Sequence, residues 1–277
     1  MSDIEPVHRS QIERHFEQVL STPDEANLPL VQDVLDDSPD RWYGQVVVTV
    51  YDSLSDHQDR EAVLPYAAAV ELLRGYVRLR NRLLLTLTDK HAHSITLDPT
   101  AALLGGDYLY TAAFSSLHSG PDSSSGDCFE ILTTALETIT EAFARTYTAA
   151  GSTGHDQAKF LDDTAGSLGE GAAALGATLA GVDEPVRRHC ERLGRGLSTA
   201  RQINYVLDTD PTEAMVVPPT FDESQFRRYA EQRRDDAAQA LNTLSETVDV
   251  TPLQAFAEGT VTRHDQQSSA TNDDALD

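Results

Sequence analysis

Leu193-Gly194-Arg195-Gly196-Leu197-Ser198-Thr199-Ala200-Arg201-Gln202-Ile203-Asn204-Tyr205-Val206-Leu207-Asp208 is the stretch that decides how this chain is read. It lies within a helix predicted from Glu184 to Asp208, which stops before Pro211 because proline has no N–H and clashes with the preceding turn. A second long helix is predicted from about Leu64 to Leu87, a third from Lys159 to about Gly181, and another from Asp222 to Leu244. Ile131, Leu132, Ala135, Leu136, Ile139, Ala142, Phe143 and Tyr147 recur at three- and four-residue spacing, which marks one buried helix face. Strand signals are weak. Gln45 to Tyr51 is β-branched but isolated, and equally suits a buried helix. The pattern predicts an all-α single domain over 1–262, with a polar, disordered tail over 263–277.

The 193–208 stretch resembles the second aspartate-rich motif of the all-trans isoprenyl diphosphate synthases, roughly Leu-Gly-x-Ala-Phe-Gln-Ile-x-Asp-Asp-x-x-Asp. Gln202 and Ile203 match; Asn204 and Tyr205 stand for the leading aspartates, and Asp208 for the last. Three further segments follow the family's order. Ala67-Ala68-Ala69-Val70-Glu71-Leu72-Leu73 is similar to the run before the first aspartate-rich motif, whose carboxylate positions fall here on Asn81, Arg82 and Leu85. Leu103-Leu104-Gly105-Gly106-Asp107-Tyr108-Leu109 resembles the family's Leu-x-Gly-Asp helix. Thr164-Ala165-Gly166-Ser167-Leu168 resembles its Lys-Thr-Gly/Ala-x-Leu element, with Asp163 where the lysine belongs. The family's Arg-Arg-Gly segment has only Asp89-Lys90-His91 near its place.

This resemblance implies an isoprenoid-synthase-like helical bundle. It also implies a reaction in which magnesium ions bridge a departing diphosphate to two carboxylate clusters. Magnesium requires hard oxygen ligands in near-octahedral geometry, and its charge stabilises the leaving group. Asn81 offers one neutral oxygen, Arg82 repels a cation and Leu85 offers nothing; Asn204 and Tyr205 are little better. The expectation is a noncatalytic homologue, with no metal and no cofactor, that pairs with an active synthase subunit or with itself. Two alternatives stand beside it. One is a divergent active prenyltransferase, magnesium-dependent, with a site rebuilt from Asp107, Asp162 or Asp208. The other is a module that holds an isoprenoid or lipid chain.

Other constellations admit ordinary explanations. Asn204, Asp208 and Thr212 have a metal-motif spacing, but Pro211 breaks the helix before the third. Asp162-Asp163 reads as a solvated helix face, and His91-x-His93 as a polar loop. Arg74, Arg78 and Arg82 share one helix face at i, i+4 and i+8, with Arg80 beside them. This suggests a diphosphate grip or a docking stripe for a partner. Gly166 to Gly181 lacks a phosphate-loop ending and suits close helix packing or a cavity wall. Tyr76 precedes the first motif and is expected to pack.

Composition narrows the function further. The 277 residues carry 45 Asp and Glu against 21 Lys and Arg, a formal charge of −24. Lys90 and Lys159 are the only lysines. Such an acidic chain suits high salt, where screening relieves self-repulsion, and argues against nucleic acid as a partner. Cys128 and Cys190 have no metal-site spacing. No apolar run reaches the ~18 residues of a membrane span, and Met1-Ser2-Asp3-Ile4-Glu5-Pro6 lacks a signal-peptide pattern. A cytoplasmic protein is expected.

Overall fold

The computed structural model describes residues 7–20, 29–38, 40–55, 59–88, 98–120, 125–148, 156–208, 214–220 and 222–259. All regular structure among them is helical. The elements are α1 (Val7–Val19), α2 (Pro29–Asp36), α3 (Trp42–Leu54), α4 (Leu64–Leu87), α5 (Pro99–His118), α6 (Ser125–Tyr147), α7 (Gln157–Leu161), α8 (Ser167–Leu179), α9 (Glu184–Asp208) and α10 (Glu223–Leu244). Residues 251–259 add a short helix, α11. A π-helical turn, Asp162–Gly166, joins α7 to α8. The tail 263–277 and the His91/His93 pair lie outside the described residues.

The β-branched run Gln45 to Tyr51 lies inside α3. Val46, Val47, Val48 and Val50 are all buried, so the helix is apolar around much of its circumference, which is the mark of a core helix. α4 is more central still. Tyr66, Ala67, Ala68, Ala69, Val70, Leu72 and Leu73 are fully buried. It packs against α5, α3, α1 and α2. Asp98, Asp156 and Asp222 cap α5, α7 and α10, each accepting backbone N–H groups from the first turn, which would otherwise lack partners.

Glycine sets the closest approach in the bundle, between α8 and α9. A Cβ on Gly194 would lie 2.3 Å from the Gly169 carbonyl oxygen, and one on Gly169 would lie 2.3 Å from Ser198 Cβ. Gly171, Ala174 and Gly181 line a groove, whereas Gly169 serves close packing. Gly176 does the same against α3, where its Cβ would meet the Val47 carbonyl at 2.5 Å.

Candidate functional site

The two helices singled out by sequence, α4 and α9, flank a cleft that the chain itself fills. Ala214, Met215, Val216 and Val217, just beyond α9, are all buried. They run without helical structure, so their backbone groups need partners from elsewhere. Asn81 on α4 supplies partners for both backbone groups of Val217. Its Oδ1 accepts from the Val217 N–H at 2.9 Å, and its Nδ2 donates to the Val217 carbonyl at 3.3 Å and to Tyr147 Oη at 2.9 Å. From the opposite wall, Gln202 Nε2 donates to the Val216 carbonyl at 3.0 Å. The segment is thus latched to both walls. Burial pushes the Tyr147 phenol above its ordinary range, although the Asn81 hydrogen bond acts the other way.

The remaining positions of the two motifs do not converge on that cleft. Leu85 is packed in the core, and Arg82 is half-buried. Asn204 accepts from Arg234 Nη2 of α10 at 2.9 Å. The Tyr205 hydroxyl accepts from Arg201 Nη2 at 2.9 Å, and the same guanidinium reaches Asp40 at 2.6 Å. Arg201 also lies over the rings of Trp42 and Tyr205. Asp208 ends α9, and its side chain falls outside the described residues. Magnesium does not suit this donor set. One neutral amide oxygen already bonded to a backbone N–H is a poor ligand, and the helix offers leucine and arginine beside it.

Two of the three stripe arginines, Arg74 and Arg78, are buried, against the expectation of a docking surface. Arg74 is 3% exposed; its Nε donates to Glu71 at 3.0 Å and its Nη2 to the Val34 carbonyl at 3.0 Å. Arg78 is 1% exposed and meets Asp37 at 2.5 Å. Glu71 in turn accepts from the Gly44 N–H at 2.9 Å. These cations pin α2 and α3 onto α4, and a partner chain does not reach them. The apolar face of α6 is buried as its spacing predicts: Leu132, Leu136, Ile139, Ala142 and Phe143 belong to the core.

Asp162 and Asp163 overturn a second expectation, because both are buried rather than solvated. Asp162 accepts from Thr199 Oγ1 at 2.9 Å, Arg195 Nε at 3.1 Å and Arg233 Nη2 at 2.8 Å. Asp163 accepts from Arg145 at 2.7 Å and Lys159 at 2.8 Å. The π turn presents both aspartates inward, and π turns within helices often mark sites with a specific role. Here the role is cross-linking α6, α9 and α10. Asp107 stands elsewhere, exposed and 3.9 Å from Arg80, so it is not brought together with Asp162. Among the described residues, no three His, Cys, Asp or Glu side chains come together to hold a metal ion. Cys128 and Cys190 are buried, and burial pushes both thiols up to about 12, which leaves them inert at neutral pH.

The architecture is shared with solved structures. The small subunit of geranyl diphosphate synthase from Antirrhinum majus matches with a TM-score of 0.70 at 17% identity, covering 91% of this chain and 95% of that one. The fold is that of the isoprenyl diphosphate synthases. A deletion mutant of the heterotetrameric geranyl pyrophosphate synthase of mint matches with a TM-score of 0.67 at 17% identity, covering 94% and 99% of the two chains. A geranyltranstransferase from Methanosarcina mazei gives 0.68 at 18%, covering 95% and 97%. No family model matches the chain, and no curated protein matches it in sequence. Among the described residues no helix is long and apolar enough to cross a membrane.

The plug was missed by sequence reasoning. Its one signal is an apolar run, Ala214-Met215-Val216-Val217, ending in Pro218-Pro219 and carrying neither helical nor alternating polar spacing.

Proposed function

We propose that this chain is a noncatalytic isoprenyl-diphosphate-synthase-like subunit, which acts in isoprenoid biosynthesis by pairing with an active synthase and modulating its stability or product length. The observation that carries this reading is the plug. The walls that would present diphosphate-binding groups instead spend Asn81 and Gln202 on holding Val216 and Val217 in place. A cleft so filled favours neither a rebuilt reaction centre nor a held isoprenoid chain.

A pairing surface supports the second half of the reading. Four of the large exposed apolar side chains, Leu103, Leu104, Tyr110 and Phe129, lie on α5 and α6 and are 42–53% exposed. A ladder of rings links two of them, Tyr110 and Phe129: Tyr76 to Tyr110 at 5.5 Å, Tyr110 to Phe114 at 4.9 Å and Phe114 to Phe129 at 5.3 Å. Contiguous exposed apolar patches mark interaction sites more often than scattered residues do. The occupant we assign is an active synthase subunit of the same fold. The resemblance to a protein described as a small subunit, and to a heterotetrameric synthase, supports that choice.

The test is a prenyl transfer assay with magnesium, isopentenyl diphosphate and dimethylallyl, geranyl or farnesyl diphosphate. It is run with the protein alone and with an active synthase from the same cell. Expected are no turnover alone and an altered rate or product length in the mixture, abolished by Tyr110→Glu with Phe129→Glu. Turnover by the protein alone, lost in Asp208→Ala, would overturn the proposal.

A further inference from the structure

A second concavity lies away from the plugged cleft, between α6, α8 and the first half of α9, with a volume of about 780 Å³. Its depth holds an unmet hydrogen-bonding demand. Ser167, only 4% exposed, lines this groove, and its hydroxyl has no partner. Thr178 Oγ1 at the far end has none either. Buried polar atoms are nearly always bonded, so two along one groove point to a ligand.

The rim specifies the charge of that ligand. Glu130 of α6, Glu170 of α8, and Glu184 and Glu191 of α9 line the groove, opposed by Arg187 and Arg195. Arg195 is shared among Glu170, Asp162 and Asp163, and Arg187 between Glu184 and Glu191. The guanidiniums are already committed, and the groove keeps a surplus of negative charge. Burial holds the Glu191 carboxyl above its ordinary value, and nearby Glu170 and Glu184 act in the same direction. A cation would relieve that cost.

The shape specifies the class. No three carboxylates among the described residues gather as a metal site, so the charge is spread rather than focused. Ser167 and Thr178 are eleven positions apart on one helix, roughly 16 Å at the helical rise. Between them the wall is mixed, with Thr134, Thr138 and Glu170 beside Ala135, Gly171 and Ala174. A Cβ on Gly171 would already lie 3.5 Å from Ala135 Cβ. Negative charge spread along such a length suits a ligand whose cations are spaced apart rather than a single ion.

We infer that the groove between α6, α8 and α9 is a binding site for a linear aliphatic oligoamine. Its ammonium groups would pair with Glu130, Glu170 and Glu191 and donate to the Ser167 and Thr178 hydroxyls, with its methylenes on Ala135 and Ala174. Charge-assisted hydrogen bonds of this kind are about twice as strong as neutral ones. The ligand would also fasten α6 to the rest of the bundle.

Calorimetric titration of the full chain with spermine at physiological ionic strength tests this. Expected is one saturable site, weakened about tenfold by Glu191→Gln with Glu130→Gln and several-fold by Ser167→Ala. Thermal unfolding should rise with spermine for the wild type and rise less for the variants. A control, Glu246→Gln with Asp249→Asn, alters distant charges and should change neither readout. Absence of a saturable site would overturn the inference. So would equal weakening by the control pair, or displacement by magnesium chloride as effective as that by spermine, since each would indicate loose counterion attraction to an acidic chain. If the double glutamine variant fails to fold, Ser167→Ala alone decides, because it removes one oxygen and no charge.

Discussion

Asn81→Asp restores a carboxylate where the family resemblance places one, and it should damage the protein rather than repair an enzyme. Asn81 is 1% exposed. Its Nδ2 is donor to Tyr147 Oη at 2.9 Å and to the Val217 carbonyl at 3.3 Å. In aspartate that donor becomes an acceptor facing the same carbonyl. Tyr147 can turn its proton toward the new oxygen, but Val217 then loses the phenol as well, at 3.4 Å in the present arrangement. An ionised carboxylate so buried costs about 3–5 kcal/mol, the range seen when a buried charge is left poorly compensated. At 2–4 °C per kcal/mol for a chain of this size, the midpoint falls by roughly 10 °C. The protonated acid keeps one O–H donor and loses only about 1 kcal/mol. Burial raises the folded pKa of this aspartate above its unfolded value of about 3.9, so the folded state holds the proton more tightly. Stability relative to wild type therefore falls as pH rises toward that folded pKa, and the deficit is complete above it. Circular-dichroism melts of variant and wild type at matched pH between 5 and 8 measure it. A variant that melts with wild type throughout would mean that water reaches position 81, and the seated plug would have to be given up.

Three further outcomes follow from the packing and titration of the core. Gly194→Ala places a methyl 2.3 Å from the Gly169 carbonyl oxygen and 2.7 Å from Ala173 Cβ, so denaturant unfolding should show a loss of at least about 1–3 kcal/mol. Gly171→Ala, at 3.5 Å from its nearest neighbour, should instead be neutral or slightly stabilising through helix propensity. Burial raises the Tyr43 phenol to about 12, opposed by its hydrogen bond from Ser198. With an unfolded value near 10, its contribution is fully present below that pH and lost as pH rises through 12. Phenolate absorbance during alkaline titration should show buried tyrosines, Tyr43 and Tyr147 among them, ionising together with unfolding, and Tyr43→Phe should reduce that step by one tyrosine.

Local patterning was enough to place several of the long helices, although it set no bounds for α5 and did not find the π turn that interrupts the run predicted from Lys159 to Gly181. Leu64–Leu87 and Glu184–Asp208 are found at the boundaries predicted, and Asp222 caps the last long helix as its position before Glu223 suggests. These features depend on neighbours a few residues away. Arg74 and Arg78 were misread because an i, i+4 spacing says that two side chains share a face, not what covers that face. Their cover is α2 and Asp37, about forty positions earlier in the chain. Asp162 and Asp163 escaped for the same reason: the groups that neutralise them come from α6, α9 and α10. The plug was hidden more completely, since an irregular segment has no period, and its partners Asn81 and Gln202 were being judged for metals.

Where the cations sit bears on how a partner can be recognised. Arg74, Arg78, Arg195, Arg201 and Arg233 each pair with carboxylates inside the bundle or at helix junctions. In a chain with 21 basic residues and a formal charge of −24, committing cations to internal pairs leaves the outer surface more one-sidedly acidic than composition alone implies. A second acidic chain would be repelled from most of that surface until salt screens it, within about 8–10 Å at physiological ionic strength. Recognition built on charge pairs would work against this field. The α5–α6 face offers another route, because Leu103, Leu104, Tyr110 and Phe129 present apolar area whose burial gains strength from exclusion of water rather than from charge. On this argument the same economy of cations that holds the plugged core together favours the exposed aromatic ladder over an arginine stripe as the surface we propose for a partner subunit.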